Sequence, residues 1–197
     1  MGRVVEHWWS EATAVPSPNQ DSRPPASAPR LIVIHCISLP PGVFGGPQID
    51  ALFCNCLDPS EHPTFADLDQ LRVSAHALVR RDGRVHQYVA FDRRAWHAGS
   101  SSYRGKAACN DYSIGIELEG LAPGGYTPVQ YAHLTALVAD LMAAYPSLTP
   151  AAIVGHQHIA PVRKTDPGPA FDWPHLRRLL ARRLDVSPSR VAELNCA

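Results

Sequence analysis

The chain has 197 residues, 45% of them hydrophobic, with 18 basic and 18 acidic side chains in balance. That length and apolar content suffice for one sizeable core, so a single domain is expected, and the lack of net charge argues against a nucleic-acid footprint or a membrane-surface patch. No apolar run approaches the roughly 20 residues of a membrane span. The start, Met1 to His7, lacks the apolar stretch and cleavage site of a secretory leader. The five cysteines (Cys36, Cys54, Cys56, Cys109, Cys196) have no framework spacing. Free thiols in a reducing cytoplasm are the simplest account of them. Ten histidines are many for this length and favour metal or acid–base work.

In chain order, residues 1–30 read as an arm or lead-in, rich in Pro, Ser and Asn from residue 10 onward. A strand runs from Leu31 to Ile37, its unbroken apolar run suited to burial on both faces. The Pro- and Gly-rich stretch 38–47 must be loop, and a short helix is expected from Gln48 to about Leu57. From Ser74 to Val89 the residues alternate around Asp82-Gly83, which predicts a two-residue hairpin with a type I′ turn. His76 and His86 lie in its strands, where cross-strand packing with a hydrogen bond is the plain expectation. The segment Asp111–Gly120 predicts another strand, with Ile114, Ile116 and Leu118 on one face and Ser113, Gly115, Glu117 and Glu119 on the other. Two acids on a face otherwise of Ser and Gly suit a polar cavity or a solvent-facing surface equally.

Thr127-Pro128-Val129-Gln130 opens a helix with a Thr cap, a proline in the first turn and Gln for a capping box. Tyr131, Leu134, Leu137, Val138, Leu141 and Tyr145 form its apolar stripe, and Pro146 ends it. Asp172-Trp173-Pro174 starts a last helix whose Arg177, Arg178, Arg182 and Arg183 form a solvated face. Residues 185–197 read as a tail, frayed from Val186. Strands mixed with helices indicate an α/β domain over residues 31–184, built on a central mixed sheet flanked by helices.

The chemistry concentrates in the Gly155–Gly168 stretch, where His156, Lys164 and Asp166 share a loop stiffened by two prolines. His156 follows the apolar pair Ile153-Val154, as His35 follows Leu31-Ile32-Val33-Ile34. Two strand-end imidazoles and one carboxylate are the ingredients of a three-ligand zinc site with the fourth tetrahedral position left for water. A strand-end histidine is also commonly a hydrogen-bonded structural residue, so these residues alone leave both readings open.

With His35, Glu117, His156, Lys164 and Asp166 laid out, the chain resembles the zinc-dependent N-acetylmuramoyl-L-alanine amidases, which share their fold with the peptidoglycan recognition proteins. The resemblance runs from about Val15 to Trp173. It rests on Ser38–Phe53, Leu71–His76, Ala95-Trp96-His97-Ala98-Gly99, Asn110–Gly120 and Lys164–Trp173, and is closest to the cytoplasmic muropeptide-recycling type. The resemblance implies zinc held by His35, His156 and Asp166, Glu117 as general base and Lys164 as oxyanion partner. It also implies muropeptide contacts from Arg72, Trp96 and Asn110, and a monomer that binds neither nucleic acid nor membrane. His158 is set aside because two residues apart on an extended segment it would point away from His156. Glu119 is expected to be structural. The chain departs from the pattern at Cys36, where such enzymes can carry Asn, and at Ala108, where an arginine can help hold substrate. The rival readings are a non-catalytic muropeptide-binding module, an envelope amidase acting on intact peptidoglycan, and a zinc peptidase cutting within the stem.

Overall fold

The computed structural model describes residues 2–68 and 70–185. Its strands are β1 (Val4–Val5), β2 (Trp8–Trp9), β3 (Thr13–Ala14), β4 (Gln20–Ser22), β5 (Leu31–Ile37), β6 (Ala77–Val79), β7 (Val85–Gln87), β8 (Arg93–Ala95), β9 (Ser102–Tyr103), β10 (Lys106–Ala107), β11 (Ser113–Glu119) and β12 (Ile153–Gly155). The helices are α1 (Gln48–Phe53), α2 (Pro128–Ala144), α3 (His156–Ile159) and α4 (Trp173–Arg183). A six-stranded sheet in the order β12-β5-β11-β6-β7-β3 forms the centre. Strands β12, β5, β11 and β6 run parallel, while β7 is antiparallel to β6. The mixed α/β sheet read from the sequence is therefore present.

Both central strands are buried along their length, apart from partial exposure at Cys36 and Ile37. One face, from Ile32, Ile34, Ile114, Ile116 and Leu118, packs against the α2 stripe and against Leu176 and Leu180 of α4. The stripe forms because Leu134, Leu137, Val138 and Leu141 recur at helical spacing, and each fully buried side chain of this kind contributes about 1.5–3 kcal/mol. Helix α2 starts at a true capping box between Thr127 and Gln130. The opposite face carries Leu31 and Val33 together with the polar residues Ser113 and Glu117, under a cover from the 95–112 segment. Glu117 and Glu119 are 9% and 1% exposed, which excludes the solvent-facing alternative for that face.

Four details differ from the sequence expectation. Helix α1 ends at Phe53, where Asn55 at φ +60° turns the chain, rather than near Leu57. The hairpin loop is a three-residue one, because Arg80 and Arg84 still pair (2.8 Å) and Gly83 N–H bonds the Arg80 carbonyl at 2.9 Å. Gly83 lies at φ +90° while Asp82 stays at negative φ, so the turn is type I followed by a bulge and not type I′. Residues 10–30, read as a lead-in loop, carry two strands: β3 pairs with β7 at the sheet edge and β4 pairs with β8. Within that stretch the Arg23 guanidinium donates to the carbonyls of Asn110, Asp111 and Ser113, tying the entry of β11. The His156–Gln157–His158 segment is the first turn of a helix rather than extended. The frayed tail expected from Val186 lies outside the described residues.

Candidate metal centre and active site

Parallel pairing decides which side chains meet. Glu117 of β11 stands in register with His35 of β5, and Gly155 of β12 with Ile34, so the chain delivers His156 level with His35 as β12 ends. All three sit at the carboxyl ends of neighbouring parallel strands, the place where open α/β sheets bind ligands. Asp166 returns on the loop after α3, where its carbonyl accepts from Gln157 N–H at 2.9 Å.

His35 Nδ1 and His156 Nδ1 are 3.0 Å apart, and each lies 3.2 Å from Asp166 Oδ2. A tetrahedral zinc ion with bonds of about 2.0–2.1 Å separates its ligand atoms by roughly 3.3 Å, so this triangle matches the donor set in kind and nearly in size. On its far side His156 Nε2 faces the Ala98 carbonyl at 3.3 Å. A carbonyl only accepts, so Nε2 carries the proton and Nδ1 presents a lone pair to the cluster. A lone pair beside a carboxylate oxygen asks for a cation. The residues present thus fit zinc, and among the described residues they are the one cluster of three or more such ligands.

Electrostatics agree with this. Burial depresses His35 to about 4 against the opposing pull of Asp166, so the imidazole is neutral at pH 7. Burial raises the Asp166 carboxyl, and the two imidazoles beside it more than reverse that, holding it below the ordinary carboxylate range. Glu117 is pushed well above its ordinary value, first by burial and then by the Asp166 charge, with Lys164 pulling the other way. Its Oε2 is buried without a hydrogen-bond partner. A group that accepts a proton readily, with a free lone pair in a buried site, is what a general base requires.

Glu119, two residues on, is committed instead: it accepts from Gly45 N–H (2.6 Å), Arg81 N–H (3.0 Å) and Arg80 (3.2 Å). His158 is turned aside, its Nδ1 accepting from Gly155 N–H at 2.9 Å. His158 stands outside the three-donor cluster, turned away by this helical turn and not by alternation along a strand. Burial pushes the Cys36 thiol up to about 11, and Cys36 is not among the three clustered donors. Cys54 and Cys56 are free thiols outside the cluster. His76 and His86 are hydrogen-bonded structural residues as expected, His76 through Gly115 N–H and the Arg93 carbonyl, His86 through Asp50.

A cavity of about 310 Å³ opens beside the triad, between Cys36, Ser38, Gly120, Leu121, Thr165 and Asp166. A larger one of about 540 Å³ lies outside β12 near Tyr103, His158, Trp173 and Arg177, and takes no residue of the triad. We place the chemistry at the smaller, because Asp166 lines it. Of the residues expected to touch substrate, Arg72 is exposed and bonds the Leu71 carbonyl, and Trp96 is half-buried with its backbone N–H on Ser74. Asn110 Oδ1 accepts from both His97 N–H (3.1 Å) and Ala98 N–H (2.8 Å). Ala108 occupies a left-handed backbone position at φ +58°. Two residues gain a place that the sequence did not give them. His97 Nδ1 lies 2.9 Å from His35 Nε2, and Arg163 donates to the carbonyls of Ala98 and Ser100. The one available signal for His97 was its place in the Ala95–Gly99 string.

The profile of the N-acetylmuramoyl-L-alanine amidase family matches residues 25–169. The chain belongs to that family. This amidase is 58% identical over 174 residues to a 1,6-anhydro-N-acetylmuramyl-L-alanine amidase AmpD of Salmonella typhimurium (strain SL1344), covering 88% of this chain and 92% of the relative. It is 55% identical over 179 residues to AmpD of Escherichia coli (strain K12), covering 91% and 97%. Among solved structures it superposes on a selenomethionine AmpD derivative with a TM-score of 0.88 at 56% identity, covering 90% and 98%. It also resembles the Escherichia coli amidase AmiD in complex with anhydro-N-acetylmuramic acid-L-Ala-D-gamma-Glu-L-Lys, with a TM-score of 0.56 at 33% identity, covering 80% of this chain and 60% of that one. The fold is that of the zinc amidases and peptidoglycan recognition proteins, as the resemblance implied. Among the described residues no helix is long and apolar enough to cross a membrane.

Proposed function

We propose that this amidase is a zinc hydrolase that cleaves the bond between the lactyl group of 1,6-anhydro-N-acetylmuramic acid and the L-alanine of the stem peptide. It would serve muropeptide recycling as a cytoplasmic monomer. The observation that carries the reading is the convergence of His35, His156 and Asp166 near Glu117, whose Oε2 is buried without a hydrogen-bond partner. The complete ligand set favours catalysis over a binding-only module.

His35, His156 and Asp166 would hold the metal through Nδ1, Nδ1 and Oδ2. When bound there, zinc supplies Lewis acidity, polarising the amide carbonyl and acidifying water. Glu117 takes a proton from the attacking water and returns it to the departing alanine nitrogen, so that the amide becomes a free carboxylate and a free amine. The added positive charge and Lys164 both favour the carboxylate form of Glu117, which the base step requires. The Lys164 ammonium, already close enough to bias both His35 and Glu117, offsets the negative charge that develops on the carbonyl oxygen. A donor of this kind is commonly worth roughly 3 kcal/mol.

The test is incubation of the purified protein with anhydromuropeptide, with and without a chelator, and mass spectrometry of the products. Intact stem peptide plus the anhydro sugar acid, formed only without chelator, is expected. Shortened stems would make the protein a peptidase, and unchanged substrate a binder.

A further inference from the structure

We propose that His97 is a positioning residue that holds the His35 imidazole in the form able to bind metal, within a clamp that residues 97 and 98 form behind both metal-binding rings. This rests on the assignment of His35 and His156 as ligands.

The two rings face the cluster through Nδ1 and are held from behind through Nε2. His156 Nε2 meets the Ala98 carbonyl, and His35 Nε2 meets Nδ1 of the adjacent His97 at 2.9 Å. Behind His97, its Nε2 lies 3.0 Å from Ser113 Oγ. A neutral imidazole carries one proton, so this chain runs in one of two directions. If His35 Nε2–H donates to His97 and His97 Nε2–H donates to Ser113, the Nδ1 lone pair of His35 points at the cluster. In the reverse direction His35 carries its proton on Nδ1, aimed between His156 and Asp166, and cannot ligate. A group on the far side of a ligating histidine fixes both its tautomer and its ring angle.

His97 is built into place. Gly115 lies beneath its ring, and a Cβ there would fall on the imidazole itself. Asn110 pins the backbone on either side of the peptide by accepting from His97 N–H and Ala98 N–H. Arg163 donates to the same Ala98 carbonyl at 2.7 Å. The neighbouring His76 ring, 5.7 Å away, does not compete, because Gly115 N–H occupies its Nδ1 and the Arg93 carbonyl its Nε2. Asn110 Oδ1 therefore belongs to this clamp.

The experiment measures zinc affinity by chelator competition for the full chain and for the variants His97→Phe, His97→Asn and Ser113→Ala, together with the thermal midpoint of each metal-free protein. Phe keeps the ring volume and removes the acceptor, so a loss of 10–100-fold in zinc affinity is expected. Asn places its Oδ1 near the former Nδ1 and should restore most of that affinity, which a space-filling role alone would not. Affinity of His97→Phe within about twofold of the parent, or no difference between Phe and Asn, overturns the proposal. If neither His97 variant folds, Ser113→Ala decides, a weakened affinity supporting the chain of bonds and an unchanged one overturning it. A parent protein that binds no zinc, with His35→Ala indistinguishable from it, overturns the ligand assignment and this inference together. Zinc binding that depends on His35 but not on His97 overturns only the latter.

Discussion

Glu117 and Glu119 stand two residues apart on one strand, and their surroundings divide their work. Glu119 has three donors around it and Glu117 Oε2 has none, so the first is a strut and the second is free to move a proton. Glu117→Gln should keep zinc and lose turnover by about 10²–10⁴-fold; metal analysis beside a rate measurement checks this, and near-normal turnover would place the base elsewhere. Asp166→Ala should lose zinc and activity together, because two imidazoles alone bind weakly, and one retained equivalent of zinc would count against its role as a ligand. His35, His156 and Asp166 stood out in the sequence as strand-end and stiff-loop residues. Those local features left a structural reading open, and the family resemblance was needed to single them out as ligands. His97 did not stand out, since it lies in an irregular segment and reaches His35 only across the bare backbone of Gly115. Likewise Asn110 reads as a polar residue near a site, and only the fold reveals that its oxygen is spent on the 97–98 peptide.

At the scale of elements, β5, β11 and α2 follow from their own residues, since apolar runs, alternation and a capping box each specify one conformation. The hairpin does not. Asp82-Gly83 favours a type I′ turn, but Arg81 is claimed from outside: its N–H donates to Glu119 and its carbonyl accepts from Thr127 Oγ1. Those bonds hold the turn in the type I form with Gly83 alone at positive φ. Thr127 therefore serves two elements, capping α2 and tethering the hairpin. Thr127→Ala should cost about 1 kcal/mol or somewhat more, the usual loss for a cap, read as a lower urea midpoint with unchanged slope. A change of a few tenths or less would mean that water replaces both bonds.

For the molecule as a whole, burial holds His35 at about 4 and His76 and His97 well below 6.5. A folded-state value below the unfolded one means that the unfolded chain takes up protons first as pH falls. Stability is then complete above about 6.5 and erodes below it. Glu117, raised by burial, acts in the opposite sense, one carboxyl against three imidazoles. Between pH 7.5 and 5 the metal-free protein should lose about 2 kcal/mol for His35 alone, since each unit is worth 1.36 kcal/mol; the difference in that loss between the parent and His35→Gln, read by urea unfolding at the two pH values, measures it, and an equal loss in both would contradict it. The α/β class was legible because a buried parallel core writes continuous apolar runs. The N-terminal contribution was not, because two-residue strands carry no periodicity and hold their place through partners distant in sequence.

That N-terminal stretch bears on how the protein can be handled. Trp9 is 2% exposed, its indole N–H bonded to Asp140 and its backbone N–H to Gln87, and β3 covers the outer side of β7. Shortening the chain to begin near Arg30 would unroof a hydrophobic hollow over α2 and leave Val85–Gln87 as a bare ribbon, open to pairing with another copy. Such a trimmed protein should precipitate or form oligomers on a sizing column, even though every proposed zinc ligand would still be present.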